Sequence, residues 1–180
     1  MSRPCTFAPI IEMPTAMTAI WRRIGVHLFE GKLTLDDMDR LDEEGAAWRK
    51  RMPGKMIELV IVFPSDAQMS TDERKRMAAI VKRWEKERVA SSTVVLAEGL
   101  LGSFHRSILT GLQMLVPSPH PVKIFGSIAA ATEWLTPFAR DLCGPEVDAA
   151  TLTAGVEELC ARFAARGAKA DKADKANKSG

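Results

Sequence analysis

The stretch KMIELVIVF, residues 55–63, constrains the fold more than any other part of the chain. Its apolar residues run almost without interruption, which reads as an internal strand buried on both faces. Such a strand needs helices to cover the sheet on each side, and the flanking sequence supplies them.

Before it, LTLDDMDRLDEEGAAWRKRMPG opens with Thr34 as N-cap and Asp37 three residues on, a weaker form of the capping box, which prefers glutamate or glutamine. Leu35, Met38, Leu41, Gly45, Trp48 and Met52 follow at helical spacing, so one amphipathic helix with that stripe inward is expected. Its early aspartates and late Arg49, Lys50 and Arg51 complement the helix dipole and read as a solvated face. Pro53 and Gly54 stop it. After the strand, Ser70 and Glu73 form a full capping box for a helix to about Arg88, with Met77, Ile80, Val81 and Trp84 inward.

The pattern repeats along the chain. From Thr18 to Phe29 the alternation of Ile24, Val26 and Leu28 predicts one strand, ended by Gly31. SSTVVLAEG predicts a third strand and SFHRSILTGLQML a third helix. Pro117, Pro119 and Pro121 impose an extended approach to a fourth strand, VKIF. Ser127 then caps IAAATEWLTPFAR, bent or ended by Pro137. A last helix from Ala149 to Arg166 places Leu152, Val156, Leu159, Cys160 and Phe163 on one face, with Gly167 as its stop. Residues 1–16, punctuated by prolines, are expected to be a flexible arm, although FAPII can supply a short edge strand. Residues 17–166 are expected to form one α/β domain, and 167–180 a disordered tail too polar to fold. Crossovers of this length imply parallel strands with right-handed connections.

A chain of 180 residues with 46% hydrophobic content can close a core without disulfides or metal. The formal charge of +2 resides wholly in GAKADKADKANKSG, whose four lysines meet two aspartates, so residues 1–166 are neutral and nucleic acid is not an expected partner. Cys5, Cys143 and Cys160 are odd in number and lack metal-ligand spacing, which predicts reduced thiols, no metal site and a cytoplasmic location. Pro9, Glu12 and Pro14 break up any apolar run of signal-peptide type, and no run approaches the roughly 18 residues of a membrane span.

FEGKLT, the helix LDDMDRL, the strand TVVLAEG and above all VKIFGSIAAATEWL resemble the STAS-like (SpoIIAA-like) domains of bacteria, over roughly Thr18 to Phe138. The resemblance implies a mostly parallel, mixed sheet of four to five strands covered by helices, here with an extra C-terminal helix. It implies a non-enzymatic regulatory module that recognises a protein partner through a strand-to-helix corner, with no cofactor. Family antagonists carry a phosphorylatable serine at that corner in a D-S-S-G-like motif. The matching region here is AEGLLGSFHR, which brings Ser103 near the position, but Gly102 precedes it and Phe104 follows, so the aspartate and following glycine are missing.

Candidate partner-binding residues are therefore Glu98, Ser103, His105 and Arg106. Ser103 has two readings. A phosphate there would meet the free amides of a helix N-terminus, and an unmodified serine is an ordinary N-cap. Arg106 is suited to an acidic partner group. No G-x-S-x-G elbow or glycine-rich phosphate loop is present, so neither hydrolysis nor nucleotide binding is expected. The alternative is a carrier or sensor of a lipid or other small apolar ligand, with Trp21, Trp48, Trp84 and Trp134 lining a pocket; helical spacing makes core packing the simpler account of three of these. The added C-terminal helix can close as a lid, pair with another subunit in a homo-oligomer, or cover an exposed sheet face.

Overall fold

The computed structural model describes residues 5–65, 69–96 and 118–177, with side chains of the last helix through residue 166. Among these residues the chain forms a six-stranded mixed sheet in the order β1-β2-β3-β4-β5-β6. The strands are β1 (Ala8–Glu12), β2 (Ala16–Trp21), β3 (Ile24–Phe29), β4 (Met56–Val62), β5 (Arg88–Val95) and β6 (Val122–Phe125). From β3 to β6 neighbours run parallel, while β1 and β2 are antiparallel additions at the β3 edge. The helices are α1 (Leu35–Arg51), α2 (Thr71–Trp84), α3 (Ile128–Cys143) and α4 (Ala149–Asn177). The expected α/β class, with a mostly parallel sheet covered by helices, is what forms.

Alternation along the strands sorts side chains to two faces. Ile24, Val26, Leu28, Ile57, Leu59, Ile61, Ala90 and Val94 face α3 and α4, where Ala131, Leu135, Leu152, Val156, Leu159 and Phe163 complete one core. Leu135, Leu152 and Leu59 are wholly buried, each contributing about 1.5–3 kcal/mol relative to exposure. The final helix therefore covers the sheet, and its five-residue stripe is buried as its spacing predicts. The opposite face carries α1 and α2 over a smaller cluster of Ile11, Met13, Ala16, Leu33 and Met38.

Four local expectations are corrected. The single strand Thr18–Phe29 is a two-stranded hairpin, pairing Trp21 with Ile24 across a two-residue turn at Arg22 and Arg23. Arg22 takes φ 52°, the positive value such turns need and usually obtain from glycine or asparagine. The arm is not free: β1 is the edge strand that FAPII allows, and Cys5 and Phe7 are buried in the main core. The sheet thus gains two strands ahead of β3. Gly167 does not end α4, which continues to Asn177, since one helical glycine costs only about 1 kcal/mol and the alanines and lysines that follow are strong helix formers. Pro137 lies inside α3, which runs on to Cys143.

Both capping boxes form, at Thr34 with Asp37 and at Ser70 with Glu73. Their helices are rotated from the expected stripes. Met38 and Asp42 are the buried residues of α1, while Leu35 is 44% exposed, and in α2 Val81 is 45% exposed with Glu73 buried instead. The helix expected at residues 103–115 lies outside the described residues.

Candidate functional site

The partner-binding candidates Glu98, Ser103, His105 and Arg106 lie outside the described residues. The described chain reaches their threshold: β5 ends at Val95, and the Leu96 amide donates to the Val62 carbonyl oxygen at 3.0 Å, holding this exit against the carboxyl end of β4.

The polar groups that the fold does assemble lie on the α1/α2 face. Because Val26 and Leu28 point into the main core, His27 between them points the other way, as do Glu58 of β4 and Ser91 of β5. Thr18 lies opposite His27 in the hairpin, with Oγ1 at 3.0 Å from Nδ1. Nε2 of His27 stands 3.9 Å from Glu58 Oε1, too far for a hydrogen bond, and has no other partner among the described residues. Arg49 Nη2, from α1, donates to Glu58 Oε1 at 2.7 Å, and Arg88 Nε donates to Glu58 Oε2. Burial raises the Glu58 carboxyl, but the Arg88 and Arg49 charges outweigh it and hold the pKa below the ordinary carboxylate value. Burial lowers the pKa of His27, so the ring is neutral at physiological pH.

A second buried carboxylate, Asp42 of α1, binds α2. It accepts from Arg83 Nη1 at 2.7 Å, Arg76 Nη2 at 3.1 Å and Trp84 Nε1 at 3.1 Å. Trp84 joins the two clusters, since the Arg49 guanidinium stacks over its ring. Arg76 also bonds Asp39, and Arg49 stands 3.2 Å from Glu87. Each buried carboxylate thus has both oxygens engaged, and each of these guanidiniums faces a carboxylate. Such a self-neutralised lattice clamps two helices to two strands.

Further along the same face, Ser91 Oγ lies 2.6 Å from His120 Nε2, and His120 Nδ1 lies 3.2 Å from Ser118 Oγ. Burial and then Arg88 lower the His120 pKa. The distance suits proton exchange, but the far nitrogen is oriented by a hydroxyl and the Ser91 amide is committed to the Pro121 carbonyl. This pair ties the start of β6 to β5.

The remaining groups are packed. Burial pushes the Cys5 and Cys160 thiols up to about 11, and also raises Cys143. Among the described residues no group of three or more His, Cys, Asp or Glu side chains is placed to hold a metal ion. Trp134 packs between Phe125 and Phe138, at centroid distances of 5.8 and 5.3 Å, and Trp21 packs on Phe7. Between Phe7 and α4, Thr6, Leu159 and Arg162 leave a recess of about 10 Å³, no larger than one water. No helix of the described residues is long and apolar enough to cross a membrane.

Sequence reasoning missed Asp42, Arg49, Glu58 and Arg88 as a unit. The available signal was Glu58 itself, a lone acid inside KMIELVIVF, since a charge in a buried strand requires a cation beside it. His27 is a partly buried polar residue on the same face.

No protein-family model and no curated protein matches the chain. Its fold is similar to that of a solved structure from Shewanella loihica PV-4, described as an uncharacterized protein of the DUF3478 family with a SpoIIAA-like fold, with a TM-score of 0.49 and 15% identity, covering 75% of this chain and 98% of that one.

Proposed function

We propose that the protein is a regulatory protein-interaction module of STAS-like type, without catalysis of its own, which binds its partner through the strand-to-helix corner at Glu98, Ser103, His105 and Arg106. The observation that carries this reading is the exit of β5 at Val95, on the carboxyl edge of the parallel strands. Open α/β sheets place their recognition loops outside that edge, because the loops there diverge from a rigid platform. Leu96, the last described residue at this edge, is two residues before Glu98 in the sequence. The buried carboxylates and guanidiniums of the α1/α2 face are occupied by one another, which suits a scaffold better than a reaction centre.

Recognition rests on Arg106 for an acidic partner group, with Ser103 and His105 as shorter polar anchors. Phosphorylation of Ser103 would add negative charge at this surface and alter partner affinity. The test is affinity capture with the full chain and with a Ser103→Ala, His105→Ala, Arg106→Ala triple variant of unchanged melting temperature. Loss of a partner that rebinds the wild-type chain in purified form is the expected result. Equal binding by both proteins would remove this corner as the recognition surface.

A further inference from the structure

Two thiols from opposite ends of the chain meet at the hairpin turn of Arg22 and Arg23. β1 pairs with β2 as Ala8 with Ile20, and the same antiparallel register continues outward to Phe7, whose ring packs on Trp21 with centroids 6.4 Å apart. Continued to Cys5, that register brings the chain level with Arg23, where Cys5 lies against Gly155 of α4. Cys143, the last residue of α3, reaches the same turn from the other side. Arg22 Nη1 donates to the Cys143 carbonyl oxygen and to Glu146, and the Arg23 amide faces the Cys143 sulfur. Both thiols lie within electrostatic reach of Arg22, and Cys5 within reach of Cys143 itself. Cys160, further along α4, is influenced by Glu157 and by neither of the other thiols.

We propose that Cys5 and Cys143 form a disulfide when the protein meets hydrogen peroxide, a covalent latch between the segment ahead of β1 and the end of α3. Cys143 reacts first, because it is half-buried while Cys5 is buried, and because Arg22 and Arg23 act against the burial that raises its pKa. Its sulfur takes one peroxide oxygen as the O–O bond breaks, which gives a sulfenic acid and water. The Cys5 sulfur then attacks the sulfenic sulfur. The S–S bond forms, the S–O bond breaks, and the Cys5 proton leaves with the hydroxyl as a second water. Each thiol gives up one electron, and peroxide takes both. Burial and Asp148 keep Cys5 protonated at rest, which protects it from direct oxidation. Cys5 belongs to no strand or helix, so it can settle into the bridging range, with Cα atoms about 4.4–6.8 Å apart, without disturbing the β1 ladder. The bond closes a loop that spans every strand of the sheet, which constrains the unfolded chain and holds the N-terminal segment on α4. It is independent of the Glu98–Arg106 corner, so either can fail without the other.

The test treats the reduced full-length protein with a small molar excess of hydrogen peroxide, blocks the remaining thiols with iodoacetamide, and maps peptides without reduction. Cleavage after glutamate, at Glu12, Glu146 and Glu158, places the three cysteines on separate peptides. The expected product is a monomer in which the Cys5 and Cys143 peptides are linked, Cys160 is alkylated, and dithiothreitol releases the link. Oxidation is expected to raise the urea midpoint of the wild-type chain and to leave that of Cys143→Ser unchanged. In Cys5→Ser the sulfenic acid has no partner, so dimedone is expected to trap it at Cys143 more than in wild type. The wild-type map decides the matter even if a variant folds poorly. The proposal is overturned if peroxide leaves Cys5 and Cys143 as thiols, if the bond contains Cys160 or joins two chains, or if Cys143 passes to the sulfinic acid while Cys5 stays free.

Discussion

The Arg49 guanidinium lies over the Trp84 ring, 4.3 Å from its centroid, while the same arginine holds Glu58 and the same indole donates to Asp42. One stacked pair therefore couples two buried carboxylates on different elements. Glu58 and Arg88 are each less than a tenth exposed, so removing one partner strands the others. Glu58→Leu is expected to destabilise the protein by about 3–5 kcal/mol, the usual cost of leaving buried charges uncompensated. Replacing Glu58, Arg49 and Arg88 together by Leu, Met and Met is expected to cost less than Glu58→Leu alone, because no charge is then left unpaired. Urea denaturation of both variants checks the ordering; a triple variant weaker than the single would refute it.

Stability is expected to fall on acidification in two stages. The His27 pKa is lowered in the fold from 6.5, so the unfolded chain binds a proton first and stability is lost as pH drops from about 6.5 toward the folded value. The Glu58 pKa is lowered from 4.5, so its contribution is complete above that pH and is lost below it. Both groups make stability rise with pH, in separate windows. His27→Gln is expected to flatten the upper stage and leave the lower one, with the residue of the upper stage belonging to His120, which shifts in the same direction. Urea midpoints between pH 7.5 and 3.5 read the effect, and an unaltered upper stage in His27→Gln would show that this ring does not set it.

The fold was legible where one residue type repeats at one period. The α4 stripe, the central strand and both capping boxes are local patterns with one structural solution. The turn at Arg22 and Arg23 was not legible, because neither residue signals positive φ and the apolar alternation of Ile24, Val26 and Leu28 masks the break before it. The rotation of α1 was hidden for a different reason. Asp42 is buried only because Arg76, Arg83 and Trp84, more than thirty residues later, neutralise it, and helical periodicity sees no partner at that distance. The recognition corner rested on resemblance and on one capping-type serine, so its residues stay a proposal.

Two helical glycines are expected to respond oppositely to alanine. At Gly155 in α4 an added Cβ would come within 2.9 Å of Cys5 Cβ and 3.2 Å of its carbonyl carbon, where the N-terminal segment crosses the helix. Gaining helix propensity there, about 1 kcal/mol, does not offset forcing a backbone apart, so Gly155→Ala is expected to lose roughly 1–3 kcal/mol. At Gly45 in α1 the nearest atom is Arg49 Nη1 at 3.9 Å, an ordinary contact. Gly45→Ala is expected to gain roughly 0.5–1 kcal/mol. Thermal melts of the two variants separate the cases, and a stabilised Gly155→Ala would mean that residues near Cys5 do not pack as described.

The thiols supply a probe of the same N-terminal packing. Cys5 and Cys160 are buried with their pKa values pushed up to about 11, so near pH 8 almost none of either is thiolate, the reactive form. Cys143 is half-buried, with its pKa also raised mainly by burial. Iodoacetamide is therefore expected to modify Cys143 first and slowly, and Cys5 and Cys160 only when the core opens. Because Cys5 is held at α4 by its approach to Gly155, Gly155→Ala should speed labelling of Cys5 more than labelling of Cys143. Mass spectrometry of peptides along a labelling time course measures both rates, and a Cys5 that reacts as fast as Cys143 in the wild-type chain would contradict its burial.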